Sequence, residues 1–150
     1  MGRRGVHCIV RPGRAVSLPV PNRPSGYSSR KEPRLSDPNC LFCRIVRGEI
    51  PATIVYQDDQ LVAFRDINPQ APTHILIIPH EHVATLNELV PSQGKLMGHM
   101  HLLAQALARA EGIAESGWRV VINCGADAGQ SVFHVHMHVL GGRSFGWPPG

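Results

Sequence analysis

Short runs of apolar and β-branched residues, bounded by turn formers, recur along the chain and predict a sheet. The runs at residues 53–57 and 61–66 are joined by Asp58 and Asp59, which predicts a hairpin. A continuous apolar run at 74–78 stops at Pro79, and another run covers 118–123. With residues 132–140 these segments predict five strands, and the short last connection predicts that the final two are antiparallel neighbours.

Two segments have helical periodicity instead. A short helix is predicted at Phe42, Ile45 and Val46, ending at Gly48. A main helix ends at Gly112, and its core-facing residues recur every three or four positions: Leu96, Met100, Leu103, Leu107 and Ala110. Five strands with helices on one face predict an α+β domain.

The run at residues 132–140 alternates strictly between apolar and imidazole side chains. On a strand, His134, His136 and His138 share one face, while the intervening apolar residues point to the other. Three imidazoles in one patch each need hydrogen-bond partners, which is costly unless the patch has a function. Two functions fit: metal binding, or phosphoryl-group chemistry with one neutral imidazole as nucleophile.

The residues before this run favour phosphate chemistry. Gly125, Gly129, Gln130 and Ser131 form a small-residue approach that suits contact between backbone N–H groups and phosphate oxygens. A metal site needs no such loop, although an ordinary connection between strands has the same composition. For Ser131, a local hydrogen bond at a strand start is an equal alternative.

The positive charge of the chain is confined to its N-terminal part. The 150 residues carry a formal net charge of +4, of which residues 1–39 hold +6 and the remainder −2. We therefore predict a disordered basic tail rich in Pro, Arg and Ser at residues 1–38, and one domain at residues 39–150 without a nucleic-acid partner.

No apolar run reaches the ~20 residues that cross a bilayer, so we expect a cytoplasmic protein with no membrane partner. An organellar transit peptide, a mis-assigned start and a cloning remnant explain the tail equally well.

The cysteines raise the question of a metal. Cys40 and Cys43 form a Cys-x-x-Cys pair, and the four cysteines of the chain are too dispersed for a disulfide framework. His82 and His134 would complete a Cys₂His₂ set for a structural zinc ion. The alternative is a pair of plain thiols at the start of a helix.

Three segments carry a family signature. Residues 129–143 are Gly-Gln-Ser-Val-Phe-His-Val-His-Met-His-Val-Leu-Gly-Gly-Arg, residues 66–74 are Asp-Ile-Asn-Pro-Gln-Ala-Pro-Thr-His, and residues 147–150 are Trp-Pro-Pro-Gly. This combination resembles the histidine triad superfamily, and within it the Hint branch of purine nucleoside phosphoramidases. The resemblance covers roughly residues 40–150. It implies a five-stranded antiparallel sheet with one main helix and short helices, which dimerises into a larger sheet.

The resemblance also implies roles for individual residues. His136 would be the nucleophile, and His138, Ser131 and Gln130 would assist it at the phosphate and the leaving group. Asp66, which the sequence alone favours as a turn cap, would accept hydrogen bonds from the ribose. The implied nucleotide-binding set is Phe64, Asp66, Ile67, Asn123, Gly129, Gln130, Ser131, Val132, His136 and His138.

Other implied roles are supporting ones. His74 would support His136 indirectly, and His134 would join the triad or the zinc set with Cys40, Cys43 and His82. Trp147 would reach the active site of a second subunit, and the main helix, through Met100 and Leu103, would pair with its symmetry mate.

The implied function is hydrolysis of adenosine 5′-phosphoramidates and of lysyl- or aminoacyl-adenylates to AMP plus amine, through a nucleotidyl-histidine intermediate and without a catalytic cofactor. Two alternatives stay open. One is a dinucleoside polyphosphate hydrolase or nucleotidyltransferase of the same superfamily, and the other is a non-catalytic nucleotide-binding or zinc-stabilised interaction module.

Overall fold

The computed structural model describes the backbone at residues 8–10 and 14–16 and the whole of residues 36–149. Two short strands, β1 (Cys8–Val10) and β2 (Arg14–Val16), pair in antiparallel orientation. The remainder of the predicted disordered tail, residues 1–7, 11–13 and 17–35, lies outside the described residues.

The domain is organised around a five-stranded sheet with the order β3-β4-β5-β7-β6. Its strands, all antiparallel to their neighbours, are β3 (Ile54–Gln57), β4 (Leu61–Arg65), β5 (Thr73–Pro79), β6 (Trp118–Val121) and β7 (Met137–Gly141). The predicted hairpin is confirmed: Oδ1 of Asp58 accepts hydrogen bonds from the N–H groups of Gln60 and Leu61, both at 2.7 Å. The predicted α+β domain with a five-stranded antiparallel sheet and one main helix is therefore confirmed.

Two α-helices within residues 36–149 cover opposite faces of this sheet, so the expectation of helices on one face is wrong. The main helix, α2 (Gly94–Ala110), packs against one face, and α1 (Leu41–Val46) packs Phe42 and Cys43 against the other. Every residue of β5 is buried, and β4 is buried except at Arg65. Strands that bury both faces need a cover on each side.

The face of α2 predicted to be buried does pack into the core. Met100 and Leu103 are 0% and 3% exposed within a single chain, so the expected pairing of these two residues with a symmetry mate is wrong. Leu102, at 67% exposure, is the large apolar side chain that α2 presents to solvent among the described residues.

The last strand begins later than the alternation predicts, at Met137 instead of residue 132. Residues 131–136 are not hydrogen-bonded in the sheet ladder. Instead, the N–H group of Val135 donates to the carbonyl of Val83 at 2.7 Å. The predicted two-sided pattern survives this departure. Val135 packs into the core on the α2 side, whereas the rings of His134 and His136 contact Phe42 on the other side.

Among the described residues, no helix has both the length and the apolar character needed to cross a bilayer.

Candidate active site

His136 is held in one protonation form by the backbone. Its Nδ1 atom lies 2.7 Å from the carbonyl oxygen of His134. Because a carbonyl only accepts, Nδ1 carries the proton and Nε2 keeps its lone pair. Burial lowers the pKa of His136, outweighing the opposing effects of this hydrogen bond and of Asp66. At neutral pH the site therefore presents a neutral imidazole with one unprotonated nitrogen, as a nucleophile requires.

His138 is held in the opposite form through a chain of two contacts. The N–H group of Gln70 donates to Nδ1 of His74 at 3.1 Å, so His74 carries its own proton on Nε2. That Nε2 atom lies 2.9 Å from Nδ1 of His138, which must accept. The proton of neutral His138 is therefore on Nε2. His138 offers a donor where His136 offers a lone pair.

Both histidines of this hydrogen bond, His74 and His138, are uncharged at neutral pH. Burial, with smaller contributions from the neighbouring His136 and His74, lowers the pKa of His138 to about 4 against the opposing effect of Asp66. Burial also lowers the pKa of His74, against the smaller opposing effect of Asp66. The chain from Gln70 to His138 is thus a line of neutral, directional hydrogen bonds.

Asp66 lies beside this chain. Its Oδ1 accepts from the N–H group of Asn68 at 2.8 Å, which is the turn cap that the sequence favours, and its Oδ2 lies 3.4 Å from Nε2 of His74. Asp66, His74 and His138 are close enough together to hold a cation. However, a cation on Nε2 of His74 would force the proton onto Nδ1, where the Gln70 N–H group already donates. This cluster is therefore better suited to proton placement than to metal binding.

The glycine loop is closed by its own hydrogen bonds. The N–H group of Gly129 donates to Ala126 at 2.8 Å, and that of Gln130 donates to Gly125 at 3.1 Å. The Gln130 side chain is buried; its Oε1 accepts from Gly125, and its Nε2 donates to the carbonyls of Ala84 and Val132. A contact of this amide with a leaving group, as expected from the resemblance, would require these bonds to break.

The next two residues have unused donors. The backbone N–H groups of Ser131 and Val132 donate to no acceptor within residues 36–149, and the Ser131 side chain is exposed. The donors available to an anion are therefore the N–H groups of Ser131 and Val132, whereas those of Gly129 and Gln130 are already bonded within the loop.

The predicted nucleoside-binding residues differ in their exposure. Phe64 is buried, and its ring packs edge-on against Phe42 with centroids 5.7 Å apart. Ile67 is fully exposed at 100%, whereas Asn123 is half-buried.

Sequence reasoning missed the role of Phe42, which it placed only in the short helix. The ring of Phe42 lies edge-on to His136 and His134, with centroids 5.1 and 6.0 Å away. The available sequence signal was its position between Cys40 and Cys43. A ligand that binds both thiols also fixes the position of the residue between them.

Cys40, Cys43, His82 and His134 form a second, buried cluster whose ligand atoms all lie within 4.8 Å of one another. The Cys43 sulfur lies 3.2 Å from Nδ1 of His82 and 3.5 Å from Nδ1 of His134, and the two Nδ1 atoms are 3.3 Å apart. Tetrahedral zinc with Zn–S bonds of about 2.3 Å and Zn–N bonds of about 2.0–2.1 Å implies S···N separations of about 3.6 Å and an N···N separation of about 3.3 Å. The donor set and its spacing are therefore compatible with structural zinc.

The surroundings of the cluster agree with a metal site. Nε2 of His134 donates to the carbonyl of Pro79 at 2.9 Å, which leaves Nδ1 unprotonated toward the thiols. Burial, with a smaller contribution from Cys40, raises the pKa of the Cys43 thiol to about 11. This thiol stays protonated at neutral pH unless a cation displaces its proton.

Trp147 is 86% exposed, so no part of residues 36–149 covers it. The guanidinium groups of Arg119 and Arg143 both lie over the ring of Phe145, two residues earlier, at 4.9 and 4.2 Å from its centroid. The chain is thereby held up to Phe145 and leaves the indole of Trp147 in solvent.

Comparison with known proteins identifies the family. The model of the histidine triad (HIT) domain matches residues 47–145. The chain belongs to the HIT domain family. This HIT chain is 51% identical over 106 residues to a purine nucleoside phosphoramidase of Escherichia coli, covering 71% of this chain and 89% of that protein. It is 48% identical over 128 residues to a 14 kDa zinc-binding protein of Zea mays, covering 82% and 99% of the two chains.

The fold agrees with solved HIT structures. A HIT family hydrolase from Legionella pneumophila superposes with a TM-score of 0.74 at 53% sequence identity, covering 75% of this chain and all of that one. These similarities support hydrolase activity for this HIT domain.

Proposed function

We propose that this HIT domain hydrolyses adenosine 5′-phosphoramidates, and lysyl- or aminoacyl-adenylates, through a covalent nucleotidyl-His136 intermediate. Nε2 of His136 would attack the α-phosphorus and displace the leaving group. In a phosphoramidate the P–N bond would break and the amine would leave with a proton taken up from solvent; in an adenylate the P–O bond of the acyl phosphate would break and the carboxylate would leave. Water would then attack the same phosphorus, release AMP and restore neutral His136. The observation that carries this proposal is the pair of opposite tautomers, a lone pair on His136 and a donor on His138.

The phosphate would be held by donors at the end of the glycine loop. Ser131, through its hydroxyl and N–H group, and the N–H group of Val132 are available to its oxygens, and Nε2–H of His138 would donate to a non-bridging oxygen. The closed loop at Gly129 and Gln130 would keep these donors in place before substrate arrives. Such preorganised donors stabilise the charge that develops during transfer.

The nucleoside would bind at the start of the 66–74 segment. Asp66 would accept from the ribose hydroxyls, and Phe64 and Ile67 would line the purine. Ile67 is completely exposed, so its apolar side chain is accessible to a base. Asn123 would lie near the ribose and phosphate.

We infer that Cys40, Cys43, His82 and His134 bind one structural zinc ion, which would stabilise the fold. The proposed chemistry needs no catalytic cofactor, because neutral imidazole attacks phosphorus without further activation. Metal analysis of protein prepared without chelators should find about one equivalent of zinc, and Cys40→Ser should lower both the metal content and the thermal stability. Protein without zinc would remove the site but not the catalytic proposal.

We also propose a homodimer in which two sheets join. Strand β6 forms one edge of the sheet and its four residues are all half-buried, so a second copy could continue the ladder there.

The free thiols of Cys40 and Cys43 suit a reducing compartment, which supports a cytoplasmic location, or an organelle if the tail is a transit peptide.

The deciding experiment compares kcat/KM for adenosine 5′-monophosphoramidate, a lysyl-adenylate and a diadenosine polyphosphate. The proposal predicts the highest values for the first two. Preference for the diadenosine compound would indicate a polyphosphate hydrolase. Binding of AMP with no turnover of any compound would indicate a nucleotide-binding module.

A further inference from the structure

His134 belongs to both clusters at once. Its imidazole lies among Cys40, Cys43 and His82, while its backbone carbonyl accepts the hydrogen bond that sets the tautomer of His136. The position of that carbonyl therefore decides where the nucleophile lies and which of its nitrogens is free.

Few backbone contacts hold this carbonyl in place. Strand β7 starts only at Met137, so the sheet ladder does not include residues 131–136. The N–H group of His134 donates locally, to Val132, and that of Val135 donates to the carbonyl of Val83. By its backbone, the segment that carries the nucleophile is thus attached to the adjacent segment at residues 82–84, while the ring of His134 is held at the end of β5 by the carbonyl of Pro79.

The metal ligands lie at the same attachment. His82 precedes Val83, and the next carbonyl, that of Ala84, accepts from Nε2 of Gln130 at 2.7 Å. Phe42, between the two cysteines, contacts the His136 ring directly. A metal ion that gathers the four ligands would therefore fix three segments around His136: the start of α1, residues 82–84 and residues 130–136.

We propose that Cys40, Cys43 and His82 are positioning residues for His136, acting through the metal-bound side chain and the carbonyl of His134. With metal bound, His136 holds one tautomer and one orientation. Without metal, the His134 carbonyl moves and His136 samples both tautomers. Only the rate consequence of this proposal rests on the proposed phosphoramidase activity.

The first test compares the zinc-loaded full-length protein with chelator-treated protein and with Cys40→Ser/Cys43→Ser. Long-range ¹H–¹⁵N spectra of the imidazoles should give a single Nδ1–H form for His136 in the loaded protein and an averaged signal in the other two. The kcat should fall about 10-fold or more, the range typical when a group that orients a site residue is lost. Because Asp66 lies outside the cluster, KM should change little. Adding Zn²⁺ back to the chelator-treated protein should restore both signals.

Leu107→Ala is the matched control, because it weakens the core on the α2 face without touching the cluster. It should lower the melting temperature while the His136 tautomer and kcat stay unchanged. Equal tautomer signals with and without zinc would overturn the proposal. The proposal would also be overturned if Leu107→Ala, at the same stability as the metal-free protein, lost the single tautomer of His136. That result would show that destabilisation of the fold in general is the cause.

A reciprocal test uses only folded, metal-loaded protein, so it holds even if the metal-free chain unfolds. His136→Ala removes the donor to the His134 carbonyl and should speed the release of Zn²⁺ to a chelator several-fold, whereas His138→Ala should not. In Co²⁺-substituted protein, His136→Ala should also shift the visible absorption bands. Identical release rates and spectra in the two variants would overturn the proposal, and neither readout depends on the substrate.

Discussion

Nε2 of His74 donates to Nδ1 of His138 across 2.9 Å, and this bond determines which nitrogen of His138 faces a substrate. The two residues lie on adjacent antiparallel strands, where His74 pairs with Leu140 and Leu76 pairs with His138. They are therefore diagonal neighbours on one face of the sheet. The chain begins at the Gln70 N–H group, so a backbone amide ultimately orients a side chain at the candidate active site.

This relationship predicts that His74→Ala lowers kcat about 10-fold, less than the ~10²-fold typical of losing a transition-state donor. The KM should change little, because His74 would act on His138 and not on the nucleotide. His74→Gln, whose amide retains a donor, should keep more of the rate. Steady-state kinetics of both variants provide the measurement, and an unchanged kcat in His74→Ala would show that His138 keeps its form without this bond.

His136→Ala should abolish hydrolysis while leaving AMP binding largely intact, because binding would come from Asp66, the apolar residues and the phosphate loop. His138→Ala should instead lower the rate by roughly 10²-fold. Calorimetry with AMP and single-turnover kinetics separate the two effects. Mass spectrometry of a trapped adduct should place it on His136, and an adduct on any other residue would exclude the assigned nucleophile.

The lowered pKa values predict unusual resistance of the rate to mild acid. Because burial lowers the pKa of His136, and that of His138 to about 4, the neutral forms persist below the ordinary histidine value of about 6.5. The kcat/KM, which reports the pKa values of the free enzyme, should therefore stay nearly constant as pH falls through 6.5 and decline only as pH approaches the lowered pKa values. A kcat/KM that halves near pH 6.5 would contradict this environment for the two rings.

The same depression of the His138 pKa makes stability depend on pH. Between about 6.5 and about 4 the unfolded chain binds a proton that folded His138 does not, so stability is fully present above this window and falls as pH decreases through it. Chemical denaturation of the wild type and of His138→Asn across this window measures the contribution. The variant should lose stability less steeply with decreasing pH.

The exposed C-terminus predicts an effect on specificity. Trp147 is uncovered in a single chain, and in our proposed dimer it would reach the partner's leaving-group side. Deleting residues 145–150 should leave a dimer by light scattering, but change the ratio of kcat/KM between amine leaving groups more than it changes AMP binding. Trp147→Ala, which keeps the Phe145 stack on the two arginines, should reproduce most of that change. A monomeric full-length protein, or an unaltered ratio, would remove this role.

The sequence by itself determined the local elements and the chemistry of the site. Period-two alternation and turn residues are local properties, so the hairpin at Asp58, the face of α2 and the shared side of the three histidines were all predictable. Residue type alone also limited the chemistry to imidazoles near a glycine loop and to a Cys₂His₂ set.

Only the tertiary structure determined which distant residues these elements bring into contact. Alternation could not show that residues 131–136 leave the ladder for Val83, since that depends on a segment about fifty positions earlier in the chain. Nor could it show that α1 covers the face opposite α2, that Gln70 orients His74, or that Gln130 is bound to Ala84. Each of these is a directional contact between distant residues, and strand register and loop closure decide such contacts rather than local periodicity. For the same reason, only the assembled fold places His134 in the metal cluster and beside His136 at once.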